Sequence, residues 1–136
     1  MKSSKLTYEE IKTIVDNHRA ELPQYVFDRA GRCFEYVINF HTFNCANLMD
    51  VKYRIVHGYL YENTKIIAHA WLEIDKYIYD PVLDYFGPPT SGGEITYEPI
   101  YHYTPNKVNR MVGKYWHMGP WEPLPKADYV KMKGEI

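Results

Sequence analysis

The sequence predicts an α+β domain, on three observations. In two early blocks, ending near residue 43, apolar residues recur at helical spacing. From Tyr53 to Val82, β-branched and aromatic residues dominate instead. The strand-like runs are separated by turns of hairpin length, so they pair antiparallel rather than through helical crossovers.

The first helix is expected over 7–22. Thr7 followed by Glu10 is a capping-box pattern. Ile11, Ile14, Val15, His18 and Leu22 then line one face, and Pro23 ends the run. Residues 24–31 read as a loop with Gly31 as its flexible joint. A second helix is expected from about Cys33 to Phe43, with Phe34, Val37, Ile38 and Phe40 as its apolar positions, and a second reading runs it on to Leu48. Strands are expected over 53–61, 66–74 and 77–82. Asp75-Lys76 forms a two-residue turn between the last two. Residues 87–93 read as a loop. Residues 95–103 read as an edge strand, because Pro99 lacks a ladder donor. Thr104-Pro105 opens a short helix to about Tyr115. The stretch from Gly119 to Pro125 is irregular.

At 136 residues the chain reads as a single domain over 1–136, with a core of about 24–86 and an aromatic, proline-rich extension over 87–136. The net charge is −1 and the basic residues are scattered, so no nucleic-acid footprint is expected. Fourteen tyrosines and three tryptophans supply rings that bury area with a polar tip kept wet, in a core or along a ligand groove. With only Cys33 and Cys45, a disulfide scaffold is not expected. Both read as thiols in a reducing compartment. The first ten residues lack a signal-peptide apolar stretch, and no run is long enough to span a bilayer. A cytoplasmic location without membrane partners is therefore expected.

Cys33, His69 and Asp80 carry the chemistry. The thiolate is the nucleophile, an imidazole exchanges its proton, and a carboxylate orients the imidazole. Cys33 stands at the start of the second helix, where unpaired N–H groups and the macrodipole favour an anion. Its own N–H is a natural oxyanion donor. Gln24 in the preceding loop is the candidate second donor. Arg32 adds positive charge beside the thiol or points to solvent. If Asp75-Lys76 is a two-residue hairpin loop, Ile74 faces Tyr77, Trp71 faces Asp80 and His69 faces Val82. His69 and Asp80 then share a face as diagonal neighbours, within reach of a hydrogen bond. A loop one residue longer puts them on opposite faces. Trp71 shares that face and either walls a cleft or packs the sheet. Glu73 is a supporting carboxylate or a cross-strand partner, and Asp84 is the reserve orienting residue. His18 is expected in the packing of the first helix and Cys45 in a structural role. His41, His57, His102 and His117 form no metal-ligand spacing with either cysteine. No phosphate loop or dinucleotide fingerprint is present, and neither a metal nor a cofactor is called for.

Gly31-Arg32-Cys33-Phe34-Glu35, Ile55-Val56-His57-Gly58, Ala68-His69-Ala70-Trp71-Leu72-Glu73-Ile74 and Tyr79-Asp80-Pro81 resemble the core of the transglutaminase-like superfamily. The resemblance spans roughly residues 30–85. It implies a papain-like fold in which the Cys helix packs on an antiparallel sheet carrying His and Asp on successive strands. It implies Cys33 as nucleophile, His69 as general base and acid, and Asp80 as the orienting residue. Members act as peptidases, cross-linkers, deamidases or peptide N-glycanases, and some serve as binding domains. The chain lacks the paired CxxC zinc site of the N-glycanases. Arg29-Ala30-Gly31-Arg32-Cys33-Phe34-Glu35 is also similar to the Arg-Gly-Gly-x-Cys run of arylamine N-acetyltransferases, with Ala30 in place of a glycine.

The expected function is amide-bond chemistry on a peptide or protein substrate through a thioester, with hydrolysis favoured over cross-linking. A non-catalytic peptide-binding module on the same fold is the alternative. A thioester-dependent N-acyltransferase is the lesser one.

Overall fold

Thr7 caps the first helix reciprocally. Its Oγ1 accepts from the Glu10 N–H at 3.2 Å, and its own N–H donates to Glu10 Oε1 at 2.8 Å. The structure, a computed structural model, describes residues 6–25, 29, 31–62, 64–89 and 95–127. Helix α1 spans Tyr8–Arg19 and stops short of Leu22. Its last turn tightens, with Glu21 N–H donating to His18 and Leu22 N–H to Arg19. The residue before a proline is also pushed out of helical conformation.

Helix α2 spans Cys33–Asn44. Gly31 precedes it at φ 83°, a left-handed conformation open to glycine at little cost. The extension toward Leu48 exists only as a 3-10 turn, Ala46–Leu48.

Strands β1 (Tyr53–Glu62), β2 (Lys65–Ile74), β3 (Tyr77–Asp80), β4 (Tyr85–Gly87) and β5 (Ile95–Tyr103) form one antiparallel sheet in the order β4-β3-β2-β1-β5. The Asp75-Lys76 turn has the predicted length, and Ile74 pairs with Tyr77. Asp75 takes φ 57°, which short polar side chains tolerate.

Two strand expectations need correction. β3 ends at Asp80 rather than Val82, so His69 has no partner at Val82. Pro81 has no N–H for the ladder, and the chain turns through Asp84 at φ 60°. It then folds back as β4, pairing Tyr85 with Asp80, where no strand was expected. Three residues are too few to display a period. Gly87 is therefore the last residue of a strand, and most of the expected 87–93 loop lies outside the described residues.

β5 is an edge strand as predicted, and α3 (Pro105–Tyr115) follows with Thr104 as N-cap and Pro105 in its first turn. Between β1 and β5 the register slips by one. His57 pairs with Tyr101 and Gly58 with Pro99, leaving Ile100 as the extra residue of a bulge.

The helices share one core on one sheet face. Ile11 and Val15 of α1, Val37 and Phe40 of α2 and Val108 of α3 join Ile55, Leu72, Ile74 and Tyr79. These strand residues alternate with those of the opposite face, where Val56, Trp71 and Ile78 pack with Tyr85 and Tyr97.

Candidate active site

His69 and Asp80 sit where the register places them. Both project from the face opposite the helix core, and His69 Nε2 lies 2.7 Å from Asp80 Oδ2. Both are almost wholly buried, at 1% and 0% exposure. The carboxylate is saturated. Oδ1 accepts from the Val82 N–H at 3.0 Å and the Leu83 N–H at 3.1 Å. Oδ2 also accepts from the Tyr97 hydroxyl at 2.8 Å. The turn that truncates β3 thus supplies two backbone donors to Asp80.

Cys33 opens α2 with no side-chain cap before it, so the first N–H groups of the helix are not spent on a capping side chain. Its thiol is free and fully buried. Its charge is among the influences that raise the His69 pKa, after that of Asp80. His69 Nδ1 has no aligned partner in the resting geometry. Cys33 packs in the core on the helix face, and β3 covers β2 only from Leu72 to Ile74. Past that point the edge of β2 has no strand neighbour on this side among the described residues.

Burial by itself would lower the proton affinity of His69. The charge of Asp80, then that of Cys33, together with the Asp80 hydrogen bond, outweigh it and raise the imidazolium pKa to about 10. The Asp80 carboxylate favours the cationic form of the ring. Asp80 fixes the ring through Nε2 and leaves Nδ1 without a hydrogen-bond partner.

Trp71 is buried beside His69, with ring centroids 6.1 Å apart, under Tyr97 at 4.9 Å. It packs the sheet face and supports the imidazole rather than lining an open wall. Gln24 is exposed, on a groove of roughly 580 Å3 shared with Lys12, Arg19, Arg29 and Asp84. Arg32 is exposed and makes a bidentate pair with Glu35, at 2.9 and 2.7 Å, so its charge is spent there. Asp84 does not reach the imidazole; it binds Arg19 at 2.7 Å and Arg29 at 3.2 Å. Glu73 is a cross-strand partner of Arg54 at 2.8 Å, with His102 at 3.5 Å. His18 is buried in the helix packing as expected, with Nδ1 2.7 Å from the Tyr79 hydroxyl. Cys45 lies exposed at the end of α2. No group of metal-ligating side chains is arranged to hold an ion among the described residues. No helix among them is long and apolar enough to cross a membrane.

Two residues of the site escaped the sequence reading. Arg29 is buried, donating to the Pro23 carbonyl and the Pro81 carbonyl at 2.8 Å each. It ties the segment before Cys33 to the turn after Asp80. Tyr97 reaches Asp80 from β5, across β1 and β2. The only advance signal for Tyr97 was its place on an edge strand, which does not reveal its register. His57 is a third surprise. It is fully buried among Phe34, Tyr103 and Trp121 with neither ring nitrogen bonded, and burial lowers its pKa to about 3.

Comparison of the chain with models of known protein families, with curated proteins and with solved structures finds no match.

Proposed function

We propose that this protein performs amide-bond chemistry through a Cys33 thioester, on a papain-like core of the transglutaminase-like kind. One observation carries the reading: a buried imidazole held by Asp80 at 2.7 Å, with Nδ1 left without a hydrogen-bond partner and a buried thiol at a helix N-terminus whose charge bears on the ring. The Cys33 thiolate attacks the carbonyl carbon of a peptide bond or a glutamine carboxamide. The C–S bond forms as the carbonyl π pair moves onto oxygen, where the Cys33 N–H is available as donor. Collapse of this intermediate breaks the C–N bond, and the departing amine takes its proton from His69. Water then adds to the thioester while His69 accepts its proton. The C–S bond breaks, giving a carboxylic acid and the thiolate–imidazolium pair once more. An amine in place of water gives a cross-link. Hydrolysis is the default because water needs no binding site of its own.

A second reading has one observation in its favour. Cys33 is fully buried, so a substrate reaches it only if covering groups move. A non-catalytic peptide-binding module has no such requirement. The pH dependence of iodoacetamide labelling at Cys33, in the native protein and in His69→Ala, separates the two. The catalytic reading expects labelling with an apparent pKa well below ~8.5 that rises in the variant. An inert Cys33, or one titrating identically in both proteins, supports the binding module.

A further inference from the structure

Asp80 Oδ2 takes two donors at nearly equal distance, His69 Nε2 at 2.7 Å and the Tyr97 hydroxyl at 2.8 Å. Tyr97 arrives from β5, with β1 lying between β5 and β2. Gly58 makes that crossing feasible. It faces His69 on β1, and a Cβ there would stand 3.0 Å from Trp71 Cη2 and 2.1 Å from the Glu98 carbonyl oxygen. With no side chain at Gly58, the Trp71 indole and the Tyr97 ring close over this face. Tyr97 hydroxyl ionisation is strongly opposed, by burial first and then by the Asp80 charge. The phenol therefore remains a donor wherever the carboxylate is ionised.

We infer that Tyr97 is a positioning residue of this site, whose hydroxyl locks the Asp80 carboxylate and moderates the proton affinity that Asp80 confers on His69. The sign follows from charge. With neutral His69 the His69–Asp80 pair carries one negative charge; with protonated His69 it carries none. A donor on Oδ2 stabilises the more negative state and so pulls the imidazolium pKa down. Without it, Asp80 holds the proton on His69 more tightly.

The other charged and titratable groups around the pair are otherwise engaged. α2 contributes Cys33. β4 contributes Tyr85, whose hydroxyl donates to the Pro88 carbonyl. Glu73 on β2 is paired with Arg54 and His102. Beyond the Asp80 turn, Asp84 is paired with Arg19 and Arg29. On this face β1 offers Arg54, engaged by Glu73, then Val56, Gly58 and Leu60, with Glu62 opposite Lys65 at its far end. Tyr97 is thus the one neighbour besides His69 whose side-chain hydrogen bond ends on the Asp80 carboxylate among the described residues.

The inference rests on the reading above for its catalytic meaning, but its test reads the ring directly. The His69 imidazole is titrated by NMR in the full-length native protein, in Tyr97→Phe and in Tyr85→Phe. Tyr97→Phe keeps the ring on Trp71 and is expected to raise the His69 pKa by about half a unit to one unit. Tyr85→Phe is expected to leave it in place. Incorporation of 3-fluorotyrosine at position 97, a stronger donor, moves it the other way and covers the case where Tyr97→Phe folds poorly. An unmoved His69 in Tyr97→Phe, or an equal shift in Tyr85→Phe, overturns the inference. Iodoacetamide labelling of the same samples keeps the two claims apart. An inert Cys33 with a shifted His69 removes the catalytic reading and leaves Tyr97 in its role. A paired Cys33 with an unshifted His69 does the reverse.

Discussion

Asp80 gathers four hydrogen-bond donors on one buried side chain. Its four donors come from a strand, a turn and a remote edge strand, and every one depends on the carboxylate pointing at His69. Asp80→Asn keeps the size but removes the charge that most strongly raises the imidazolium. The His69 pKa is expected to fall from about 10 toward its ordinary value of 6.5. An NMR titration of the ring checks this, and a ring still titrating near 10 would show that Cys33 alone sustains the shift. Val82 and Leu83 retain an acceptor in the asparagine, so the turn is expected to persist.

At the scale of elements, the bulge between β1 and β5 sets the geometry. The slip at His57/Gly58 brings Tyr97 opposite Leu60 and thus onto the His69 face. Without the slip every β5 side chain beyond it would exchange faces. Gly58→Ala places a Cβ against the Glu98 carbonyl, which belongs to backbone and cannot rotate away. The variant is expected to lose about 2–3 kcal/mol of stability in urea unfolding and to displace Tyr97 from Asp80. Wild-type stability would mean that β5 can shift outward freely at its edge.

At the scale of the whole molecule, two buried histidines act on stability in opposite pH ranges. His57 is held neutral, with a folded pKa of about 3 against 6.5 unfolded. Between those values the unfolded chain binds more protons, so the stability His57 permits is complete above about 6.5 and is lost as pH falls toward 3. His69 is held charged, with a folded pKa of about 10. Its contribution is complete below about 6.5 and is lost as pH rises through 10. From these two groups stability is expected to peak near pH 6.5. Urea unfolding across pH 4–10 checks this, with His57→Phe expected to flatten the acid limb. An unchanged acid limb would assign acid unfolding to other groups.

The parts of this protein that were legible in its sequence are those governed by near neighbours. Thr7 and Glu10 marked a helix start, the Asp75-Lys76 turn length set a hairpin register, and that register put His69 and Asp80 on one face. Capping and hairpin geometry involve residues a few positions apart, so order along the chain suffices for them. The return of β4, the β1–β5 bulge, the Arg29 link to Pro81 and the Tyr97 hydrogen bond to Asp80 depend on segments far apart in sequence. So does the burial of Cys33 and His57. Their partners are chosen by packing and by satisfying buried polar groups, and only the assembled sheet and helix layer bring those partners within reach.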